Sequence, residues 1–399
     1  MKLNLNLCDK LRTALAVLVV GAILSSTAVW AADAEDTTEE LSETSEAASN
    51  LIDEWTKDDE DAVEEVDENR FLVMPVPIAN PTIGAGLGAI AMYLFQAGEN
   101  APPSNLALMG FYTDSGSRAG ALGTKTYFKD DKYRLSGVVG FFNMNLDFFG
   151  IGNGAGDRGE SIGINQKGSF LGSRFLFQIA ENLYLGPQYR LSTLETALQN
   201  PIQPGGPGAS LPKDTKKTTS ALGIVIEYDT RDNRFNPKRG VHLEGVASFA
   251  SDLIGSDNNY ELYEAGFNLY QMLGGNKLLA WRTTGCFQGG DTPYYDLCML
   301  GSRFDKFRGY VGGQYRDDVG LTTQLEFRWR FYKKWGMVAF AGIGEVAPTI
   351  GDMSLDNLLP STGLGIRFMA SEKQGINLSV DYARGKNSEA WYFRIGEAF

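Results

Sequence analysis

The stretch Leu321-Thr322-Thr323-Gln324-Leu325-Glu326-Phe327-Arg328-Trp329-Arg330-Phe331 decides the fold. Successive side chains of a strand point to opposite faces, so a period of two sorts this stretch into two sets. Leu325, Phe327, Trp329 and Phe331 share one face, and Gln324, Glu326, Arg328 and Arg330 share the other. A half-buried sheet of a soluble protein alternates in the same way. The size and aromatic richness of the apolar set, repeated at Trp391, Phe393, Ile395 and Phe399, fits a face turned to lipid instead.

The same alternation continues outward in both directions. From Phe71 to the C-terminus, segments of about ten residues alternate apolar and polar between clusters of Gly, Asp, Asn and Lys. Sixteen such strands are expected, among them 70–78, 166–179, 317–331 and a last one at 389–399. In lipid every backbone polar group must be paired within the sheet, so strands span a membrane only as a closed barrel. The fold class is therefore all-β, a transmembrane antiparallel barrel. The longest gaps, 147–165, 197–215 and 289–316, each follow an odd-numbered strand and so share one side, extracellular if both termini are periplasmic.

Ahead of the barrel, Lys2, Lys10 and Arg12 precede an apolar run from Ala14 to Leu24, and Val29-Trp30-Ala31 fits a small-residue cleavage site. Residues 1–31 read as a secretory signal peptide, too short for a spanning helix. Residues 32–69 carry 17 acidic side chains against one basic, Lys57, while the whole chain has 49 acidic and 36 basic residues. The acidity thus belongs to this segment, read as disordered and periplasmic, and the barrel at 70–399 is close to neutral. No basic face or arm offers itself to nucleic acid.

Chemistry of an enzymatic kind has few residues to draw on. His242 is the only histidine, and alternation places it with Glu244 on one face of strand 9 as a polar pair of the lumen. There is no Gly-x-Ser-x-Gly elbow, and one histidine with two distant cysteines makes a poor metal site, so neither catalysis nor a metal or other cofactor is expected. Cys286 and Cys298 stand twelve residues apart on an exported chain. A disulfide is chemically permitted there and two free thiols equally so; the spacing does not decide.

Four stretches resemble the BamA/TamA superfamily of outer-membrane assembly barrels. Asp232 with Phe235, Pro237 and Gly240 resembles the family's periplasmic turn between strands 8 and 9, where proline fixes φ and glycine admits a left-handed conformation. Phe307-Arg308-Gly309-Tyr310 is similar to the tip of the family's extracellular loop between strands 11 and 12, which folds back into the lumen. The family has Val where Phe307 stands. Gly320 to Phe331 resembles the strand whose inward glutamate receives the loop arginine, a role that falls to Glu326, with Arg328 and Arg330 beside it. Phe393 to Phe399 resembles the terminal strand that ends on an aromatic and serves as an assembly signal.

One position departs from the pattern. The family carries a strand-13 Asp as second acceptor for the loop arginine, and Gly342 stands there, in Phe340-Ala341-Gly342-Ile343-Gly344. A buried guanidinium requires paired, hydrogen-bonded acceptors. The expectation is that either Glu326 suffices alone or the loop is held less firmly than in the family. Glu345 is expected to point to the opposite face.

The first strand carries a second feature. Pro75 and Pro77 lack N–H groups, and residues two apart direct those groups to the same edge. Two ladder donors are missing from one edge, which suits a closure seam against the last strand, where Gly396 can kink the pairing before Phe399. In the family this seam is a lateral gate. The resemblance implies a monomer that inserts or passes polypeptides, or lipids, through the seam in a Gram-negative outer membrane. Its partners are then membrane lipids, unfolded outer-membrane clients and periplasmic chaperones. The 32–69 segment is too short and too acidic for the POTRA modules through which the family recruits clients. A passive pore or structural surface-antigen barrel is the alternative, since a fold alone does not fix a function.

Overall fold

Polar residues buried and apolar residues exposed are the signature of a barrel in lipid, and the Leu321–Phe331 stretch shows it side chain by side chain. Leu325, Trp329 and Phe331 are 48%, 39% and 50% exposed, whereas Gln324, Glu326 and Arg328 are 3%, 0% and 7% exposed. A soluble sheet would reverse the two sets. The computed structural model describes residues 70–80, 82–98, 101–199, 216–234, 236–301, 306–372 and 375–399. The expected signal peptide, the acidic segment and Phe235 lie outside the described residues.

The first eight strands are β1 (Arg70–Asn80), β2 (Gly84–Phe95), β3 (Ser104–Thr113), β4 (Arg118–Phe128), β5 (Tyr133–Phe148), β6 (Ile162–Ala180), β7 (Leu183–Leu198) and β8 (Lys216–Asp229). Then follow β9 (Gly240–Ala250), β10 (Tyr260–Gly274), β11 (Lys277–Gly290), β12 (Val319–Tyr332), β13 (Trp335–Ala347), β14 (Leu359–Ser371), β15 (Ile376–Arg384) and β16 (Glu389–Ile395). Each pairs antiparallel with the next, giving one sixteen-stranded sheet that curls into a nearly closed barrel. A single short helix, α1 (Asn153–Arg158), interrupts the connection from β5 to β6. Within the long β11–β12 connection, Cys298–Met299 pairs with Arg316–Asp317 in a two-residue ladder.

The strands match the alternation in the sequence closely, with one correction at the end of the chain. The last strand was expected to run to residue 399 with Phe399 on the lipid face. It ends at Ile395 instead. Gly396 adopts a φ of 90°, a conformation glycine takes without a Cβ penalty, and its N–H still bonds the Asn377 carbonyl at 2.6 Å. The chain thereby turns off the lipid face. Phe399 is only 6% exposed and packs with Tyr270, Leu278 and Ala280 from the buried face of β10 and β11.

β1 and β16 close the circuit without a ladder. They lie side by side, yet among the described residues no strand pairing joins them. The ladder between β1 and β2 runs unbroken from Arg70 to Asn80, straight through Pro75 and Pro77. The N–H groups that prolines lack must therefore fall on the other edge of β1, the one turned to β16.

Candidate functional site

The tip of the β11–β12 connection carries a fully buried arginine. Arg308 is 0% exposed, and every nitrogen of its guanidinium is engaged. Nη1 donates to Asp381 Oδ2 at 2.6 Å, Nη2 to Glu326, and Nε to Gln324 Oε1 at 3.5 Å. The plane lies 3.4 Å over the Phe340 ring. A buried guanidinium is stable only when paired and hydrogen-bonded in this way.

Glu326 is the acceptor expected from the sequence, and Asp381 corrects the other expectation. Neither a lone glutamate nor a loosely held loop is found, because β15 supplies the carboxylate that is missing at position 342 of β13. The reason lies in packing at Gly342. A Cβ there would come within 2.9 Å of the Phe307 ring and 2.6 Å of the Thr323 carbonyl. Phe307 itself is 2% exposed and stacks on Tyr310 with ring centroids 5.6 Å apart. The two departures from the family pattern, Phe307 for Val and Gly342 for Asp, are thus one exchange: the larger ring takes the space of the missing side chain. Glu345 bonds the Ser354 N–H at 2.9 Å and takes no part in the cluster.

The rest of the motif fixes the tip against β14, β15 and β16. Gly309, with φ 98°, donates its N–H to the Tyr392 hydroxyl at 2.9 Å. A Cβ on Gly309 would stand about 3.0 Å from the backbone at Arg384 and Gly385, so the position requires glycine on both counts. Ser361 and Ser388 donate to the carbonyls of Arg308 and Gly309. The Tyr310 hydroxyl donates to the Pro360 carbonyl at 2.6 Å and accepts from the Lys386 N–H at 3.1 Å. Burial pushes its phenol up to about 12, so the proton stays on as a donor.

The first half of the connection is held to a different part of the wall. Cys286 and Cys298 form a disulfide, with Cα atoms 5.7 Å apart. Arg190 on β7 grips both carboxylate oxygens of Asp296 at 3.1 Å, and the Tyr260 hydroxyl joins them. The Tyr294 hydroxyl lies 2.9 Å from Gln166 Nε2 and 2.7 Å from Thr196 Oγ1. Further along, Gln314 reaches the Gly156 carbonyl in α1 at 3.1 Å, and the Gly312 N–H reaches Thr82 Oγ1 at 2.8 Å.

A second charged cluster sits at the other end of the strands. In the β8–β9 turn, Asp232 accepts from the Lys238 and Arg239 N–H groups at 2.9 and 3.3 Å. Asp131, in the β4–β5 turn, receives Arg134 and Arg234, each at 2.7 Å. Burial alone would raise its carboxyl, but the two guanidinium groups outweigh that and hold it below its ordinary value. His242 does share a face with Glu244, but the two do not pair. His242 Nε2 lies 3.3 Å from Glu227, and Glu244 binds Arg174 at 2.8 Å. The ligand atoms of Glu227, Asp229 and His242 come within 4.8 Å of one another. Both carboxylates are already taken by Arg134, Arg231 and Arg234, which a cation would have to displace.

Arg328 and Arg330 extend the Glu326 face, and Arg328 contacts Glu326 Oε1 at 2.5 Å. Sequence reasoning missed four partners: Arg367, Asp381, Arg394 and Glu397. Asp381 was readable in principle, because alternation along β15 puts Asn377, Ser379 and Asp381 on one face. Glu397 was not, because nothing in the local pattern announces that the tail turns inward.

This geometry defines a class, the sixteen-stranded outer-membrane barrel whose long β11–β12 connection buries an Arg-Gly-Tyr tip. The Omp85 superfamily domain model matches residues 105–399, and the chain belongs to that superfamily. The family and the BamA-like barrel imply the Gram-negative outer membrane. Among solved structures, the barrel is similar to BamA from Haemophilus ducreyi lacking POTRA domains 1–3, at 16% identity and a TM-score of 0.54. That match covers 83% of this chain and 70% of the other. CdiB from Acinetobacter baumannii matches at 14% identity and a TM-score of 0.51, over 83% of this chain and 60% of that one. CdiB from Escherichia coli matches at 10% identity and 0.54, over 84% and 63%. The chain thus spans less than two thirds of either CdiB. At these identities the likeness is one of fold. No curated protein matches the chain.

Proposed function

We propose that this barrel is an assembly or translocation factor that inserts or passes polypeptides through the seam between β1 and β16. The observation that carries the reading is the seam itself. Two adjacent strands share no ladder, and the edge that would have to pair is stripped of two donors by Pro75 and Pro77. Each ladder bond is worth about 0.5–1.5 kcal/mol net, so an edge short of two opens more readily than any other in the sheet. In this reading the β11–β12 connection folds into the lumen and faces the long-loop, extracellular side. Outer-membrane lipids surround the seam, unfolded barrel proteins are the clients, and the protein acts as a monomer without catalysis.

The test is reconstitution of the mature protein in liposomes with an unfolded outer-membrane barrel as client. Wild type should accelerate client folding, and a cysteine cross-link between β1 and β16 should abolish the acceleration. Equal rates with and without the cross-link would reject the seam as the route. No acceleration across several clients, together with ohmic conductance indifferent to Arg308→Ala, would identify a passive pore instead.

A further inference from the structure

Around Arg308 the buried charges form a closed ring. Going round, Arg308 pairs with Glu326, and Glu326 with Arg328 at 2.5 Å. Arg328 stands 3.7 Å from Glu397, and Glu397 binds Arg367 at 2.7 Å. Arg367 pairs with Asp381, and Asp381 returns to Arg308 at 2.6 Å. The six side chains are 8% exposed or less. Three cations alternate with three anions, so the ring is neutral as a whole.

Its members come from places far apart in the chain. Arg308 belongs to the β11–β12 connection, Glu326 and Arg328 to β12, Arg367 to β14 and Asp381 to β15. Glu397 belongs to the four-residue tail that follows β16, the strand at the unpaired edge. The tail is tied in twice more: Arg328 Nη2 donates to the Phe399 main-chain oxygen at 2.8 Å, and Asn377 Nδ2 donates to Glu397. Arg394, on β16 itself, adds a bond to Asp381 at 2.9 Å.

We propose that this ring is a latch that couples the tip of the β11–β12 connection to the end of the terminal strand, so that the two are held together or released together. Each ring member has two opposite charges as neighbours in the ring, and Asp381 has a third in Arg394. Withdrawing Arg308 leaves Glu326 with Arg328 alone, Asp381 with Arg367 and Arg394, and the five remaining members of the ring net negative. Withdrawing Glu397 leaves Arg328 and Arg367 facing one another across a gap with no anion between them. A buried charge left short of a partner costs more than the lost pair contributed, so the loss at one point weakens the whole circuit. Movement of the tail therefore loosens the connection, and movement of the connection frees the strand end at the seam. This coupling does not depend on what, if anything, the barrel transports.

Amide hydrogen exchange of the full mature protein tests the latch, read in two peptides, 306–318 and 390–399. Glu397→Gln, nearly isosteric, should speed exchange in 306–318 by about tenfold or more, the order of a lost charge-assisted bond. Arg308→Ala should do the same in 390–399, and the double variant should exchange no faster than the faster single one. Arg190→Ala, which removes the grip on Asp296 in the other half of the connection, should leave 390–399 at the wild-type rate. Faster exchange in 390–399 alone for Glu397→Gln, or an equal response to Arg190→Ala, would overturn the proposal. A heat-modifiable gel shift reports folding. If Arg308→Ala does not fold, the response of 306–318 to Glu397→Gln decides by itself.

Discussion

The ring of Phe307 stands where a side chain at position 342 would have to grow, 2.9 Å from the Cβ that Gly342 lacks. Two residues on different elements thus share one volume, and the sequence divides it by giving all of it to the aromatic. The consequence reaches the charges. With no room for a carboxylate at position 342 of β13, the buried Arg308 turns to Asp381 on β15, one strand from the terminal one. What looks like a weakened version of the family's loop anchor is an anchor rebuilt with its second acceptor nearer the seam.

Restoring the family residue should therefore harm this protein. Gly342→Asp is expected to destabilise the barrel by about 1–3 kcal/mol, the usual cost of overpacking a filled site. Phe307→Val in the same chain should recover part of that cost but not all, because the Thr323 carbonyl remains 2.6 Å from the new Cβ. Urea unfolding in detergent, followed by gel shift, measures both. A Gly342→Asp variant as stable as wild type would show that the two positions do not compete.

How much of this could be read from the sequence depends on range. Alternation is local, and it delivered the sixteen strands with ends mostly within a few residues, as at β8, found where expected at 216–229. Glu326 was found because alternation and family pattern agree there. Asp381 was on the correct face in the sequence, but its partner is 73 residues away and no local rule joins them. The tail was misread for a different reason. Phe399 continues the period of two, and only the left-handed turn at Gly396 takes it off the lipid face. Whether Cys286 and Cys298 bond was likewise undecidable from their spacing, because it depends on the connection doubling back against β11.

That disulfide holds the half of the connection that the Arg308 cluster does not. Cys286→Ser with Cys298→Ser should lower stability by about 2–3 kcal/mol, the range for closing a short loop. Exchange should rise in residues 291–300, while 306–318 stays near wild type because Arg308 is anchored elsewhere. Thermal melting with a reducing agent should bring wild type to the level of the double variant. If 306–318 loosens as much as 291–300, the two halves of the connection are not held separately.

The Asp131 cluster carries a pH signature. Its carboxyl is held below the ordinary value of 3.8 in the folded state. A depressed carboxyl contributes stability that is fully present above the unfolded value and lost as pH falls through the folded one. Asp131→Asn removes the charge at every pH. The stability gap between wild type and variant should therefore be open at pH 7 and narrow progressively below about pH 4. A gap that widened on acidification would mean that Asp131 is not stabilised by Arg134 and Arg234.

The prolines of β1 give the most direct handle on the seam. Both sit within an unbroken ladder to β2, so replacing them costs that ladder nothing and restores two N–H groups on the edge facing β16. Pro75→Ala with Pro77→Ala should let β1 and β16 form bonds they do not have now, each worth about 0.5–1.5 kcal/mol net. Part of the gain is offset by the greater chain freedom that alanine brings to the unfolded state, about 0.4–1 kcal/mol per site. Slower hydrogen exchange in 71–80 and 389–395 measures the pairing itself, free of that second effect. In the client-folding assay the same variant should be slower than wild type, because a route through the seam has to break what the substitution adds. If exchange slows and client folding does not, polypeptides take another path. If exchange does not slow, the edge of β1 is held away from β16 by something other than its missing donors.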